Sequence, residues 1–222
     1  MKPAIKLVIF DCDGVLVDSE PVANKVFSEY LISCDIPISP EDVTRKFVGR
    51  SLSSCKSILE TEGWTVPDSF IDDIREQNLE ALSRDLDPIP GIHAALDKIM
   101  LPVCVASSGL PVKINQSLSL TNLASYFGPH IFSAQHVSNG KPAPDLFLHA
   151  AKTMGVAPEN TFVIEDSPVG VQAGVAAGMQ VVGFSGGGHT EPGHDEMLQE
   201  LGAHHVLDTM LELPDLIERY NG

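Results

Sequence analysis

Two aspartates stand two residues apart in Val8-Ile9-Phe10-Asp11-Cys12-Asp13-Gly14, directly after a short apolar run. Residues i and i+2 of an extended chain point the same way, so Asp11 and Asp13 can face one point beyond a strand end. Two carboxylates that close repel each other, and each resists ionisation unless a cation joins them. A hard cation with oxygen ligands fits that demand, Mg²⁺ above all. Gly14 lets the chain turn sharply after the pair. An acidic turn that merely caps a strand would use the same letters, so the pair needs company before it means chemistry.

Glu165 and Asp166 supply some of that company, because they too close a short apolar run. Ser167 and Pro168 then read as a helix N-cap and a first-turn proline. The helix that follows, VGVQAGVAAG, is built almost wholly of small residues and can lie close to a sheet. A helix dipole also favours acids at its start, which explains their presence there but not their match to Asp11 and Asp13. A third run ends in Ser107-Ser108-Gly109. Hydroxyls and main-chain N–H groups at a helix start make an anion site. Lys141 is held between Gly140 and Pro142 just before another helical pattern. So restrained, it could place one cationic donor over a phosphate. Taken alone, either segment reads as ordinary surface.

The elements that must position these residues are legible as alternating patterns. Apolar runs at 5–10, 101–106, 130–133, 161–164 and 180–184, with a weaker one at 205–207, predict buried parallel strands. Helical patterns at 91–100, 111–120, 144–154, 168–177 and 191–201 separate most of them. That alternation predicts an α/β fold with a doubly wound, parallel, Rossmann-like sheet, whose ligands bind beyond the carboxyl ends of the strands. The interval between the first two strands breaks the rhythm. It holds helical patterns at 21–32, 40–47, 51–62 and 67–84 and nothing that reads as a strand. The expectation is a core domain of residues 1–15 and 89–222 with a helical cap domain, residues 16–88, inserted over the strand ends. Pro88-Ile89-Pro90-Gly91 suits no helix interior and marks the return. Trp64 is expected in the core of the cap.

The chain of 222 residues carries 30 Asp and Glu against 14 Lys and Arg, a formal charge of −16. That balance argues against nucleic acid and against anionic membrane surfaces as partners. The four cysteines form no CxxC pair and no zinc-like cluster, so they read as reduced thiols. No apolar stretch approaches the roughly 20 residues of a membrane span, and the N-terminal apolar run is too short for a signal peptide. A cytoplasmic monomer is expected. Gly186-Gly187-Gly188-His189 shares only glycine content with a phosphate loop and reads as a flexible connection. His189, His194, His204 and His205 match no metal-site spacing and read as solvated.

Taken together, DCDGVLVDSE, VASSG, GKPAPD and VIEDSPVGVQAGVAAG resemble, in order, the four motifs of the haloacid dehalogenase superfamily. Within it the chain is most similar to the subgroup of sugar-phosphate phosphatases and β-phosphoglucomutases. The resemblance implies an Mg²⁺-dependent phosphatase acting on a small phosphorylated metabolite through an aspartyl phosphate. It casts Asp11 as nucleophile and Asp13 as acid and base. It places Mg²⁺ on Asp11, Asp13, Asp166 and Glu165, and it gives the phosphoryl oxygens to Ser107, Ser108 and Lys141. Gly49 and Arg50 fall on a cap loop that reads the substrate, although Arg50 could equally be solvated. A phosphomutase shares the core residues, but Ala23 and Leu52 stand where that branch has a histidine and an arginine, which favours hydrolysis. A non-catalytic binding module on the same scaffold is the remaining alternative. Mg²⁺ and Lys141 would also resolve the conflict between an acidic protein and an anionic substrate, by making one local positive site.

Overall fold

A computed structural model describes residues 3–47, 50–188, 190 and 192–222. The chain begins with β1 (Leu7–Phe10), all four of whose side chains are buried. A tight turn leads to β2 (Val17–Asp18) and then to four helices: α1 (Glu20–Ser33), α2 (Pro40–Phe47), α3 (Leu52–Thr61) and α4 (Phe70–Asp85). β3 (Asp87–Pro88) returns beside β2, and α5 (Ile92–Lys98) and β4 (Val103–Ser107) follow. Next come α6 (Pro111–Leu120), α7 (Ala124–Phe127), β5 (Ile131–Ser133), α8 (Asp145–Thr153) and β6 (Thr161–Glu165). α9 (Pro168–Ala176), β7 (Gln180–Phe184), α10 (His194–Glu200), β8 (His205–Leu207) and α11 (Leu213–Asn221) complete the chain.

Six strands form one sheet in the order β5-β4-β1-β6-β7-β8, every pairing parallel. The fold is therefore the α/β, doubly wound, Rossmann-like arrangement that the alternating pattern predicts. Chain order runs outward from β1 through β4 and β5 on one side, then restarts at β6 and runs outward through β7 and β8 on the other. The switch lies between β1 and β6, which pair from Leu7↔Thr161 to Phe10↔Ile164. A crevice outside the strand ends opens at such a switch. Alternation along β1 divides its side chains between two layers. Leu7 and Ile9 join Cys104, Val163, Leu146, Phe147 and Ala150 in one buried cluster. Phe10 points the other way and meets Phe127 of α7 edge to face, with ring centroids 6.0 Å apart. The small residues of α9 bring that helix onto the sheet: a Cβ on Gly174 would lie 2.6 Å from Val181 Cγ2.

The chain divides into two compact units, Met1–Asp18 with Asp87–Gly222, and Ser19–Leu86. The second is all helical and has its own core, in which Phe27 packs edge to face against both Phe47 and Phe70. Tyr30 also meets Phe70 edge to face, and its hydroxyl donates to Asp73 at 2.7 Å. Two features depart from the expectation for this interval. β2 and β3 pair antiparallel, Val17 with Pro88 and Asp18 with Asp87, in a stretch expected to hold no strand. Two residues are too few to show a period of two, and the pairing partner lies some seventy residues away. Trp64 is 39% exposed rather than part of the helical core. Gly63, at φ 89°, ends α3 in a left-handed turn, and Trp64 N–H bonds back to the Leu59 carbonyl at 3.0 Å. That helix-terminating turn carries the indole outward. Among the described residues no helix is long and apolar enough to cross a membrane.

Candidate active site

Asp11 follows β1 without a break, and its N–H extends the ladder by donating to the Ile164 carbonyl at 3.0 Å. Its side chain is thereby fixed at the switch point, beside the end of β6. The chain then turns: Leu16 and Val17 N–H both return to the Cys12 carbonyl, and Gly14 N–H donates to the Val17 carbonyl at 2.8 Å. Gly14 takes φ 78°, a conformation L side chains rarely adopt. Cys12 is buried between the two aspartates. Burial first, then Asp13 and Asp11, push its thiol well above the usual cysteine range, so it is an unreactive packing residue.

β6 closes with Glu165, fully buried, and Asp166 follows with 7% exposure. Asp11, Glu165 and Asp166 each offer a carboxylate oxygen, and these lie within 4.8 Å of one another. Lys141 Nζ, only 2% exposed, donates to Asp11 Oδ1 and to Glu165 Oε1, both at 2.6 Å. Burial opposes charge on this lysine, but Asp11 and then Glu165 outweigh it and hold the ammonium above its ordinary range. Asp11 moves in the contrary sense for a paired acid. Burial raises it, Lys141 offsets part of that, and Glu165 and Asp166 raise it further, leaving its carboxyl well above the usual carboxylate value. Three buried carboxylates thus gather at one place, and the ammonium there pairs with two of them. A set of hard oxygen donors short of positive charge is chemically suited to a divalent cation.

Glu165 holds Lys141 on one oxygen and is itself held on the other. Ser167 N–H and Ser167 Oγ donate to Oε2 at 3.0 and 2.9 Å. Ser167 Oγ in turn accepts from Gly170 N–H at 3.1 Å, the N-cap bond of α9. The helix start lies so close over the carboxylate that a Cβ on Gly170 would come within 1.8 Å of Glu165 Oε1. Asp166 is tethered through its backbone: His194 Nε2 donates to its carbonyl at 2.8 Å.

Asp13 lies further out, its side chain 27% exposed against 12% for Asp11. Lys113 Nζ, in the first turn of α6, donates to both its carboxylate oxygens, at 3.0 and 2.9 Å. Ser107 ends β4, the strand that pairs Val105 with Phe10, so it leaves the sheet on the same edge as Asp11. Its hydroxyl is buried and accepts from Gly109 N–H at 3.1 Å. Ser133, from the end of β5, steadies that turn by donating to the Gly109 carbonyl at 2.7 Å. Ser108 is exposed.

Of the expected site residues, Asp11, Lys141, Glu165 and Asp166 meet directly, and Asp13 meets a residue the sequence did not single out. Arg50 belongs to the helical unit, is exposed, and donates through Nε to the Lys46 carbonyl at 3.1 Å. Gly49 and His189 lie outside the described residues. Two glycines of the glycine-rich connection make close contacts. Gly188 N–H donates to Asp18 at 3.3 Å, and a Cβ on Gly186 would lie 2.1 Å from the Asp208 carbonyl oxygen. The histidines read as solvated have partners: His194 on Asp166, His204 accepting from Val181 N–H, and His205 against Tyr220. Of the residues that sequence reasoning missed, Lys113 alone carried a signal. A cation in the first turn of a helix opposes the macrodipole, so its placement there implies an anionic partner.

Residues 8–184 match the family model described as haloacid dehalogenase-like hydrolase. The chain is 35% identical over 190 residues to 6-phosphogluconate phosphatase of Escherichia coli (strain K12), covering 85% of this chain and 86% of that protein. Among solved structures it is similar to a conserved haloacid dehalogenase-like protein of unknown function from Agrobacterium tumefaciens str. C58. That likeness has a TM-score of 0.90 and 37% identity, covering 99% of this chain and 100% of the other. A hydrolase of the same family from Deinococcus radiodurans R1, solved with bound phosphate and sodium, is similar with a TM-score of 0.90 and 29% identity, over 99% of this chain and 97% of that one.

Proposed function

Because this chain belongs to the haloacid dehalogenase-like hydrolase family, we propose that it is an Mg²⁺-dependent phosphatase that hydrolyses a small phosphorylated sugar or sugar acid through an aspartyl phosphate on Asp11. The observation that carries this reading is the buried meeting of Asp11, Lys141, Glu165 and Asp166 at the switch point of the sheet. The likeness to a 6-phosphogluconate phosphatase supports the substrate class.

The reaction divides into two displacements. Asp11 attacks phosphorus in line, the bond from phosphorus to the ester oxygen breaks, and Asp13 gives that oxygen its proton. Water then attacks the phosphoryl group and loses its proton to Asp13, and the bond to Asp11 breaks to release phosphate. Lys141 and Ser107 neutralise and orient the phosphoryl oxygens, which is most of what phosphoryl transfer requires. Glu165 serves by holding Lys141, since Ser167 already occupies its second oxygen. Asp11 and Asp166, with the Asp13 main-chain carbonyl, would hold Mg²⁺, with Glu165 beside them. When bound, the ion adds positive charge against the transferring phosphoryl group and lets Asp11 ionise. Ser108 N–H and Oγ are further donors for phosphate, while Gly49 and Arg50 of the helical unit give substrate selectivity.

Phosphate release from a panel of sugar, sugar-acid, polyol and nucleoside phosphates tests the proposal. Activity on at least one sugar or sugar-acid phosphate is expected with Mg²⁺, and its loss after exhaustive chelation. Arg50→Ala is expected to reorder the panel more than it changes the rate on a small aryl phosphate. Full activity in chelator, or no release from any phosphate ester, would overturn the proposal.

A further inference from the structure

We propose that Lys113 is a positioning residue for the acid and base Asp13, fixing its carboxyl group where the leaving oxygen meets it; the proposal rests on the phosphatase reading above. Lys113 reaches Asp13 across a hundred residues of sequence and takes both of its carboxylate oxygens, at 3.0 and 2.9 Å. Two contacts from one ammonium fix both the reach and the rotation of the carboxyl group, which a single contact would leave free to turn. A proton donor held in place before the reaction loses less freedom on reaching the transition state.

The surroundings suit this role. Lys113 sits in the first turn of α6, where the helix dipole disfavours a cation, and its bonds to Asp13 offset that cost. Pro111 fixes the start of that helix, and the N-cap residue Leu110 is extended, so the lysine stem leaves a rigid base. The two side chains are 39% and 27% exposed, whereas Lys141 is 2% exposed. The two lysines thus divide the work. Lys141 is buried against the nucleophile, and Lys113 stands on the open side, with the group that meets the departing oxygen.

Proton donation matters most when the leaving oxygen is strongly basic, which gives a readout that a structural role would not move. Rates are measured for the wild type, Lys113→Met and Lys113→Arg on ring-substituted phenyl phosphates, which are similar in shape and span a range of leaving-group basicity. For Lys113→Met, kcat/KM is expected to fall about 10–100-fold on the least activated ester and under about threefold on the most activated, a steeper dependence on basicity. Lys113→Arg should restore the shallow dependence, because a guanidinium also spans two carboxylate oxygens. Each slope comes from one preparation, so partial misfolding cancels. A uniform fall across the series would make Lys113 a substrate-binding or structural residue, and an unchanged slope would remove it from the reaction; either overturns the proposal. If the wild type hydrolyses none of the esters, the phosphatase reading itself fails, and the role given to Lys113 falls with it.

Discussion

Asp11 is held in an environment that works against its own charge, and this makes a prediction about stability. Burial, Glu165 and Asp166 together outweigh Lys141, so its carboxyl titrates higher in the fold than in the unfolded chain. A group shifted that way contributes stability that is complete below the unfolded carboxylate pKa and is lost as pH rises through the folded one. Raising the pH in chelator therefore costs the wild type stability. Asp11→Asn removes the charge but keeps an acceptor for Lys141. In chelator its melting temperature is expected to fall less than that of the wild type as the pH is raised above the carboxylate range, and Mg²⁺ should raise the melting temperature of the wild type much more than that of the variant. Thermal melts of both proteins over pH, with and without Mg²⁺, check this, and a variant whose melting temperature falls as steeply as the wild type's would refute it. The acids were legible in sequence because each stands beside an apolar run whose end announces a strand end, and Lys141 because Gly140 and Pro142 restrain it before a helical pattern. Lys113 offered only its place in a first helical turn. Neither its pairing with Asp13 nor that of His194 with Asp166 was legible, because these partners lie 100 and 28 residues away and no local pattern reports such distances.

α9 is the element whose sequence is most closely tied to the site. Its first turn lies over Glu165, and Gly170 is the residue that permits the approach. Gly170→Ala must displace either the carboxylate or the helix. Overpacking of this kind costs about 1–3 kcal/mol. The denaturation midpoint should fall accordingly, and activity should fall with it, since the Glu165 carboxylate that moves is the one holding Lys141. Gly140→Ala serves as the contrast: its Cβ would meet only Ala134, at 3.8 Å, and its midpoint should match the wild type. Equal midpoints for all three proteins would contradict the close packing of α9. Most elements were legible as periodic patterns, and β7 and β8 begin and end where the apolar runs do. What escaped were three short pieces held by tertiary contacts and the last helix. β2 and β3 are two residues each, α7 is four, and α11 begins at Leu213 with a proline that reads as a break until the helix start is known.

Over the whole molecule the formal charge of −16 opposes a dianionic substrate, while the local cations attract it. Repulsion by distant surface charge is screened by salt, with a Debye length of about 30 Å at 0.01 M and about 10 Å at 0.1 M, but contacts inside the site are screened far less. kcat/KM on a phosphate monoester is therefore expected to rise about two- to fivefold as ionic strength increases across that range at saturating Mg²⁺. A steady fall would mean that the field at the site entrance is positive despite the overall charge. That overall charge argues against nucleic acid from composition alone, but it gives no hint of how the site is made locally positive. The answer depends on Lys141 and Lys113, which the fold brings from separate segments to Asp11 and Asp13. The central claim is that Asp11 carries the phosphoryl group between the two displacements. It is tested most directly by mixing enzyme, Mg²⁺ and substrate, quenching in acid within one turnover, and locating any added phosphoryl mass on the digested peptides. The account predicts one phosphoryl group on the peptide containing Asp11 in the wild type and none in Asp11→Asn. A wild-type enzyme that releases phosphate with no phosphoryl group ever found on that peptide, or an Asp11→Asn variant that turns over normally, would contradict it.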